Sequence, residues 1–95
     1  MKVLAVCGFG VGSSMILKMS LDKAFKKLNQ NVEVENTDIT AARGERCDAI
    51  FTSEELYQEL KDSASAPVYT VKKYMDLEEV EEAAKLFLKE KDSQS

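Results

Sequence analysis

Apolar positions along the chain alternate between two rhythms: short runs of strand length and longer stripes at helical spacing. Lys2 to Val6 carries the run Val3-Leu4-Ala5-Val6, the pattern of a buried strand. From about Ser13 to Leu28 the spacing puts Leu17, Leu21, Ala24, Phe25 and Leu28 on one helical face, with Lys18, Lys23, Lys26 and Lys27 largely elsewhere. Lysines near the end of that segment suit the negative pole of a helix, and Asn29-Gln30-Asn31 then breaks the pattern. Val32 and Val34 alternate with Glu33 and Glu35, as in an edge strand with one wet face. Asp38 to Arg46 is a connection with room for one helical turn. A third strand spans Asp48 to Thr52, and Thr52-Ser53-Glu54-Glu55 resembles a capping box opening a short helix to about Leu60. Asp62 to Ala66 is a loop. Pro67 starts a fourth run, Val68-Tyr69-Thr70-Val71, where an early strand position tolerates its missing N–H. Asp76-Leu77-Glu78-Glu79 repeats the capping signal. Leu77, Val80, Ala84, Phe87 and Leu88 then form a one-sided stripe to about Glu90, with Glu81 and Lys85 spaced for a surface pair.

Strand–helix alternation throughout predicts an α/β fold of three layers, a parallel sheet with helices on both faces. In such a sheet the loops that follow the strands gather along one edge, where ligands bind. Residues 1–90 are expected to form a single domain, with 91–95 a disordered tail. A chain of 95 residues has no room for a second domain.

Composition narrows the function. With 44% apolar and 32% charged residues the chain is an ordinary globular one, and no apolar run approaches the roughly 18 residues that span a bilayer. Met1-Lys2 leads straight into a strand with no signal peptide, so a cytoplasmic location is expected. A net charge of −4 with no dominant lysine–arginine stripe argues against nucleic acid as a partner. The chain has two cysteines, Cys7 and Cys47, and no histidine, which removes Cys/His zinc sites and Cys–His dyads. No metal and no cofactor are expected. A disulfide between the two cysteines stays open, with free thiols the expected state in a reducing cytosol.

The segment Cys7-Gly8-Phe9-Gly10-Val11-Gly12-Ser13-Ser14 carries the chemistry. It joins the first strand to the first helix, and its alternate glycines let the backbone turn tightly with its amides inward. The helix that follows adds unpaired N–H groups and the positive end of its dipole, so the segment can cradle a tetrahedral dianion. That field also favours thiolate over thiol at Cys7 and makes it a nucleophile suited to phosphoryl chemistry. Cys47 has no such surroundings and is expected to pack. A nucleotide-binding loop would end Gly-Lys-Ser/Thr, but here Gly12-Ser13-Ser14 has no lysine before Lys18. The even glycine spacing also departs from the dinucleotide fingerprint. Cysteine phosphatases use a similar cradle with an arginine six positions after the thiol, and that position is Ser13. Amides and the Ser13 and Ser14 hydroxyls alone would then hold the phosphate, which suits a carrier that must pass the group on.

On these residues, from Met1 through Met15, the chain resembles the IIB components of the bacterial phosphoenolpyruvate-dependent sugar phosphotransferase system, most closely the ascorbate-type branch of the ascorbate/galactitol group. The resemblance implies a four-stranded parallel sheet in the order 2-1-3-4, with a phosphatase-like phosphate loop after strand 1. It implies that Cys7 takes a phosphoryl group from a phosphohistidine of a IIA protein. Cys7 then passes it to a sugar, L-ascorbate in that branch, held by a membrane-embedded IIC transporter. Gly8, Phe9, Gly10, Val11, Gly12, Ser13 and Ser14 would be the phosphate-binding positions. The chain would then be a phosphotransferase at the cytoplasmic face of the membrane transporter. Phe9, Val11 and Met15 are candidates for an accessible apolar rim where the partners dock. A IIB-like regulatory phosphoacceptor module and a small cysteine phosphatase are the alternatives.

Overall fold

Each expected element forms, in the order β1 (Lys2–Val6), α1 (Gly10–Lys27), β2 (Glu33–Thr37), α2 (Ile39–Gly44), β3 (Ala49–Thr52), α3 (Glu54–Leu60), β4 (Val68–Thr70) and α4 (Leu77–Gln94). The computed structural model describes residues 1–6, 10–64 and 66–94, with side chains over 1–6, 15–64 and 66–91. The four strands pair in the order β2-β1-β3-β4, every pair parallel, as the resemblance implies.

Successive side chains of a strand point to opposite faces, and β1 divides the core accordingly. Val3 and Ala5 join α1 residues Leu17, Leu21, Ala24 and Phe25 and α4 residues Val80, Ala84 and Phe87 on one face. Leu4 and Val6 join Ala42 of α2 and Leu56 and Leu60 of α3 on the other. Helices on both faces explain why the β1 run is continuous rather than alternating, and Val3 to Val6 are fully buried. Strand β2 lies at an edge, with Val34 buried and Glu33 exposed.

The α1/α4 face holds the larger core. Phe51 stacks on Tyr69 with ring centroids 5.3 Å apart, and meets Phe25 and Phe87 edge-on at 6.3 and 6.1 Å. Asn29 ends α1 in the left-handed region, φ 60°. Around it Gln30 N donates to Phe25 O and Asn29 N to Lys26 O, the paired bonds of a Schellman motif. The break expected at Asn29-Gln30-Asn31 thus has a defined geometry.

Three local expectations shift. Ser53, not Thr52, is the N-cap of α3, its hydroxyl accepting from Leu56 N at 3.4 Å. Glu81 does not pair with Lys85; α4 lies against α1, so Glu81 is nearly buried and meets Lys27 Nζ at 3.3 Å. Helix α4 continues to Gln94 rather than stopping near Glu90, with Lys91 Nζ held 2.8 Å from Asp48 Oδ1. Among the described residues no helix is long and apolar enough to cross a membrane.

Candidate functional site

Because all four strands run the same way, their last residues Val6, Thr37, Thr52 and Thr70 share one edge of the sheet. Cys7 is bonded to Val6 and so follows the end of a central strand. Cys7, Gly8 and Phe9 themselves lie outside the described residues. Gly10, Val11, Gly12, Ser13 and Ser14 form the start of α1, and of these the backbone alone is described. The helix therefore begins at Gly10, earlier than the Ser13 or Ser14 expected from the sequence. Glycine is a poor helix former, but packing of Leu17 and Leu21 on the sheet fixes the axis, and the first turn is free to extend along it.

That earlier start changes the chemistry of the segment. The N–H groups of the first turn of a helix have no partner within it, so the amides of Gly10 to Ser13 join the donors available after β1. The first turn of α1 also contains no acidic residue, whereas α3 and α4 carry Glu54, Glu55 and Glu78, Glu79 in theirs. The positive pole of α1 is thus left uncompensated by its own sequence.

Behind this start lies a residue that the sequence reading assigned to a cap. The Thr52 side chain is fully buried, and its hydroxyl donates to Val6 O at 2.7 Å. A threonine at the end of a central strand, one place before a serine that can cap, is the signal that distinguishes the two roles. The β4–α4 loop completes the edge. Asp76 caps α4 as expected, its Oδ1 accepting from Glu78 N and Glu79 N at 3.1 and 3.4 Å, but the Glu79 carboxylate turns to Lys72 N and Lys73 N at 2.6 and 3.1 Å instead of closing the box. Ser20 Oγ donates to Tyr74 O at 2.6 Å and ties the same loop to α1.

Apolar side chains are left uncovered between α1 and this loop. Met75 is 82% exposed, and Met15, Ile16 and Met19 are exposed within the first ten residues of α1. Ile16, Lys73, Tyr74, Met75 and Asp76 line an open hollow of about 480 Å³. Met15 is thus accessible, as a docking rim requires; Phe9 and the Val11 side chain lie outside what is described.

The remaining candidates stand elsewhere. The chain has two arginines, Arg43 in the last turn of α2 and Arg46 just before β3, both where the chain has returned toward the amino ends of the strands. Neither can serve the carboxyl edge as a phosphatase clamp. Cys47 lies at the amino end as well, half-buried and free, packed against Leu4, Ile50 and their neighbours. Burial pushes its thiol pKa up, and the carboxylates of Glu45 and Asp48 push it further. The disulfide left open by the sequence would involve Cys7, which lies outside the described residues.

Comparison with known proteins gives the arrangement its context. The family model described as PTS system, lactose/cellobiose specific IIB subunit, matches residues 2–85. The ascorbate-specific PTS system EIIB component of Mycoplasma pneumoniae is 31% identical over 83 residues, covering 85% of this chain and 87% of that protein. Among solved structures, the lactose-specific IIB component domain from Streptococcus pneumoniae superposes with a TM-score of 0.70 at 20% identity, over 94% of this chain and 95% of that one. Primo-1 superposes with a TM-score of 0.53 at 18% identity, over 92% and 91% of the two chains; both likenesses are of fold.

Proposed function

The chain belongs to the IIB subunit family of the sugar phosphotransferase system, and on that premise we propose that Cys7 is the atom through which it carries the phosphoryl group. A IIB subunit is a phosphotransferase: it accepts a phosphoryl group from its IIA component and delivers it to the sugar. The reading of Cys7 rests on one observation above all. Cys7 directly follows Val6 at the carboxyl edge of the sheet, and α1 starts at Gly10, with first-turn amides that have no partner within the helix and no carboxylate in that turn. Gly8, Phe9, Gly10, Val11, Gly12, Ser13 and Ser14 are the positions proposed to receive the phosphate.

The transfer balances without a metal or cofactor. Cys7 thiolate attacks the phosphorus of the IIA phosphohistidine; the S–P bond forms as the P–N bond breaks, and the imidazole, protonated on its other ring nitrogen, leaves as a neutral ring. In the second step a sugar hydroxyl attacks the same phosphorus, the S–P bond breaks, the thiolate returns and the hydroxyl proton goes to water. Backbone amides meet the three equatorial oxygens in both steps. With no arginine at this edge the phosphocysteine is held by neutral donors, which suits a group in transit better than one to be hydrolysed.

The 31% identity to an ascorbate-specific component supports L-ascorbate as the sugar. Membership of the same family supports a place at the cytoplasmic face of a IIC transporter. The uncovered Met15, Ile16, Met19 and Met75 offer the apolar surface on which IIA docks. Intact-mass measurement after incubation with a histidine-phosphorylated IIA protein tests the site. One phosphoryl group is expected on the wild type and on Cys47→Ser and none on Cys7→Ser; label retained by Cys7→Ser places the chemistry elsewhere.

A further inference from the structure

We propose that Thr52 is a positioning residue for the phosphoryl-accepting cysteine, acting through the Val6 carbonyl; this rests on the reading of Cys7 given above. Thr52 is fully buried at the end of β3, where valine would fill the same space with no polar atom to satisfy. Its hydroxyl donates to Val6 O at 2.7 Å. That oxygen belongs to the peptide group whose nitrogen is Cys7 N. A peptide group is planar, so fixing the direction of its C=O fixes the direction of its N–H and of the bond that leads to the next Cα.

Thr52 is itself held from the other side. Its carbonyl accepts from Val71 N at 2.9 Å, and the two residues after Val71 are held by the Glu79 carboxylate. A continuous set of hydrogen bonds therefore runs from α4, through the β4–α4 loop and the end of β3, to the last peptide of β1. Its bonds within the buried edge are neutral and directional, and they end on the peptide that presents the thiol. Positioning of a nucleophile to within fractions of an ångström is where such bonds have a kinetic effect beyond their small contribution to stability.

The test uses the full chain carrying Cys47→Ser, so that Cys7 is the sole thiol. Thr52→Val and Thr52→Ser are compared by the initial rate of phosphoryl incorporation from a histidine-phosphorylated IIA protein, and by the pH dependence of iodoacetamide alkylation. Thr52→Val is expected to lower the incorporation rate about tenfold and to shift the alkylation midpoint. Thr52→Ser, which keeps the hydroxyl, is expected to recover most of the rate and the wild-type midpoint. If Thr52→Val does not fold, Thr52→Ala takes its place against Thr52→Ser. Wild-type rates without the hydroxyl, or equal losses in the serine variant, overturn the role of Thr52 and leave Cys7 standing. Phosphorylation of Cys7→Ser overturns the reading of the site, and the proposal with it.

Discussion

The two ends of the sheet are built from different interactions. At the amino end, Lys2 Nζ lies 3.2 Å from Glu35 and 3.3 Å from Glu45, Lys91 Nζ lies 2.8 Å from Asp48, and the Lys2 amide donates to the same Asp48 carboxylate at 2.8 Å. These are charged, half-exposed groups. At the carboxyl end a buried threonine hydroxyl and a serine hydroxyl donate to main-chain carbonyls, and the carboxylates of Glu79 and Asp76 accept from main-chain amides rather than from lysine side chains, beside uncovered methionines. Exposed ion pairs tolerate imprecise geometry and contribute little; neutral buried bonds are weak as well but fix direction. The difference separates a fastening from a jig. It also sorts the thiols: burial first, and then the carboxylates of Glu45 and Asp48, raise the Cys47 thiol pKa, while Cys7 follows the edge where α1 begins with no acid.

The largest effect that can break this contrast is at the cysteines. Cys7→Ser is expected to abolish phosphoryl incorporation, and Cys47→Ser to leave it intact by intact mass; the reverse result would make the amino end the working one. Next in size is the tenfold rate loss expected for Thr52→Val, with the melting temperature lowered by only a few degrees, since one neutral hydrogen bond is worth about 1 kcal/mol. A melting temperature that falls without a change in rate would make this bond a fastening too.

Met75→Asp sharpens the comparison at the surface. It is expected to raise the KM for phosphorylated IIA about fivefold with the maximal rate unchanged, because an exposed side chain on a tied loop contributes to docking and not to stability. An unchanged KM in steady-state assays would remove Met75 from the docking surface.

Asp48→Asn gives the smallest effect, on stability alone. Lys91 first, and then the Lys2 amide, hold the Asp48 carboxyl below its ordinary range. The folded chain therefore binds this proton less readily than the unfolded chain. The stabilisation is fully present above the unfolded value of about 3.9 and is lost as pH falls through the depressed one. Denaturant titration should show Asp48→Asn destabilised by at most about 1 kcal/mol at pH 7, after solvent screening, with the gap closing in acid. Its phosphoryl incorporation rate should match the wild type.

Much of this architecture was legible because it rests on local rules. Val3 to Val6 read as a strand covered on both faces, Leu17, Leu21, Ala24 and Phe25 as one helix face, and Val34 between glutamates as an edge. Around the candidate site the reading was less complete. Cys7 stood out by its glycine neighbours, but Thr52 looked like a cap, Glu79 like the partner of Asp76, and Glu81 like one of a surface pair. For Thr52 and Glu81 a long-range neighbour, Val6 or Lys27, took the side chain that local spacing had assigned to its own helix, and for Glu79 it was the loop that leads into α4.

By itself, then, the order of residues determined the elements, their alternation and the place of the thiol after the first strand, because strand and helix periods and glycine turns act over a few neighbouring residues. Tertiary structure alone decided that α1 starts at Gly10, that Thr52 turns to Val6 and that Met75 stands beside Ile16. Those outcomes depend on which parallel strands end side by side and which helix lies across them, and no local spacing encodes that.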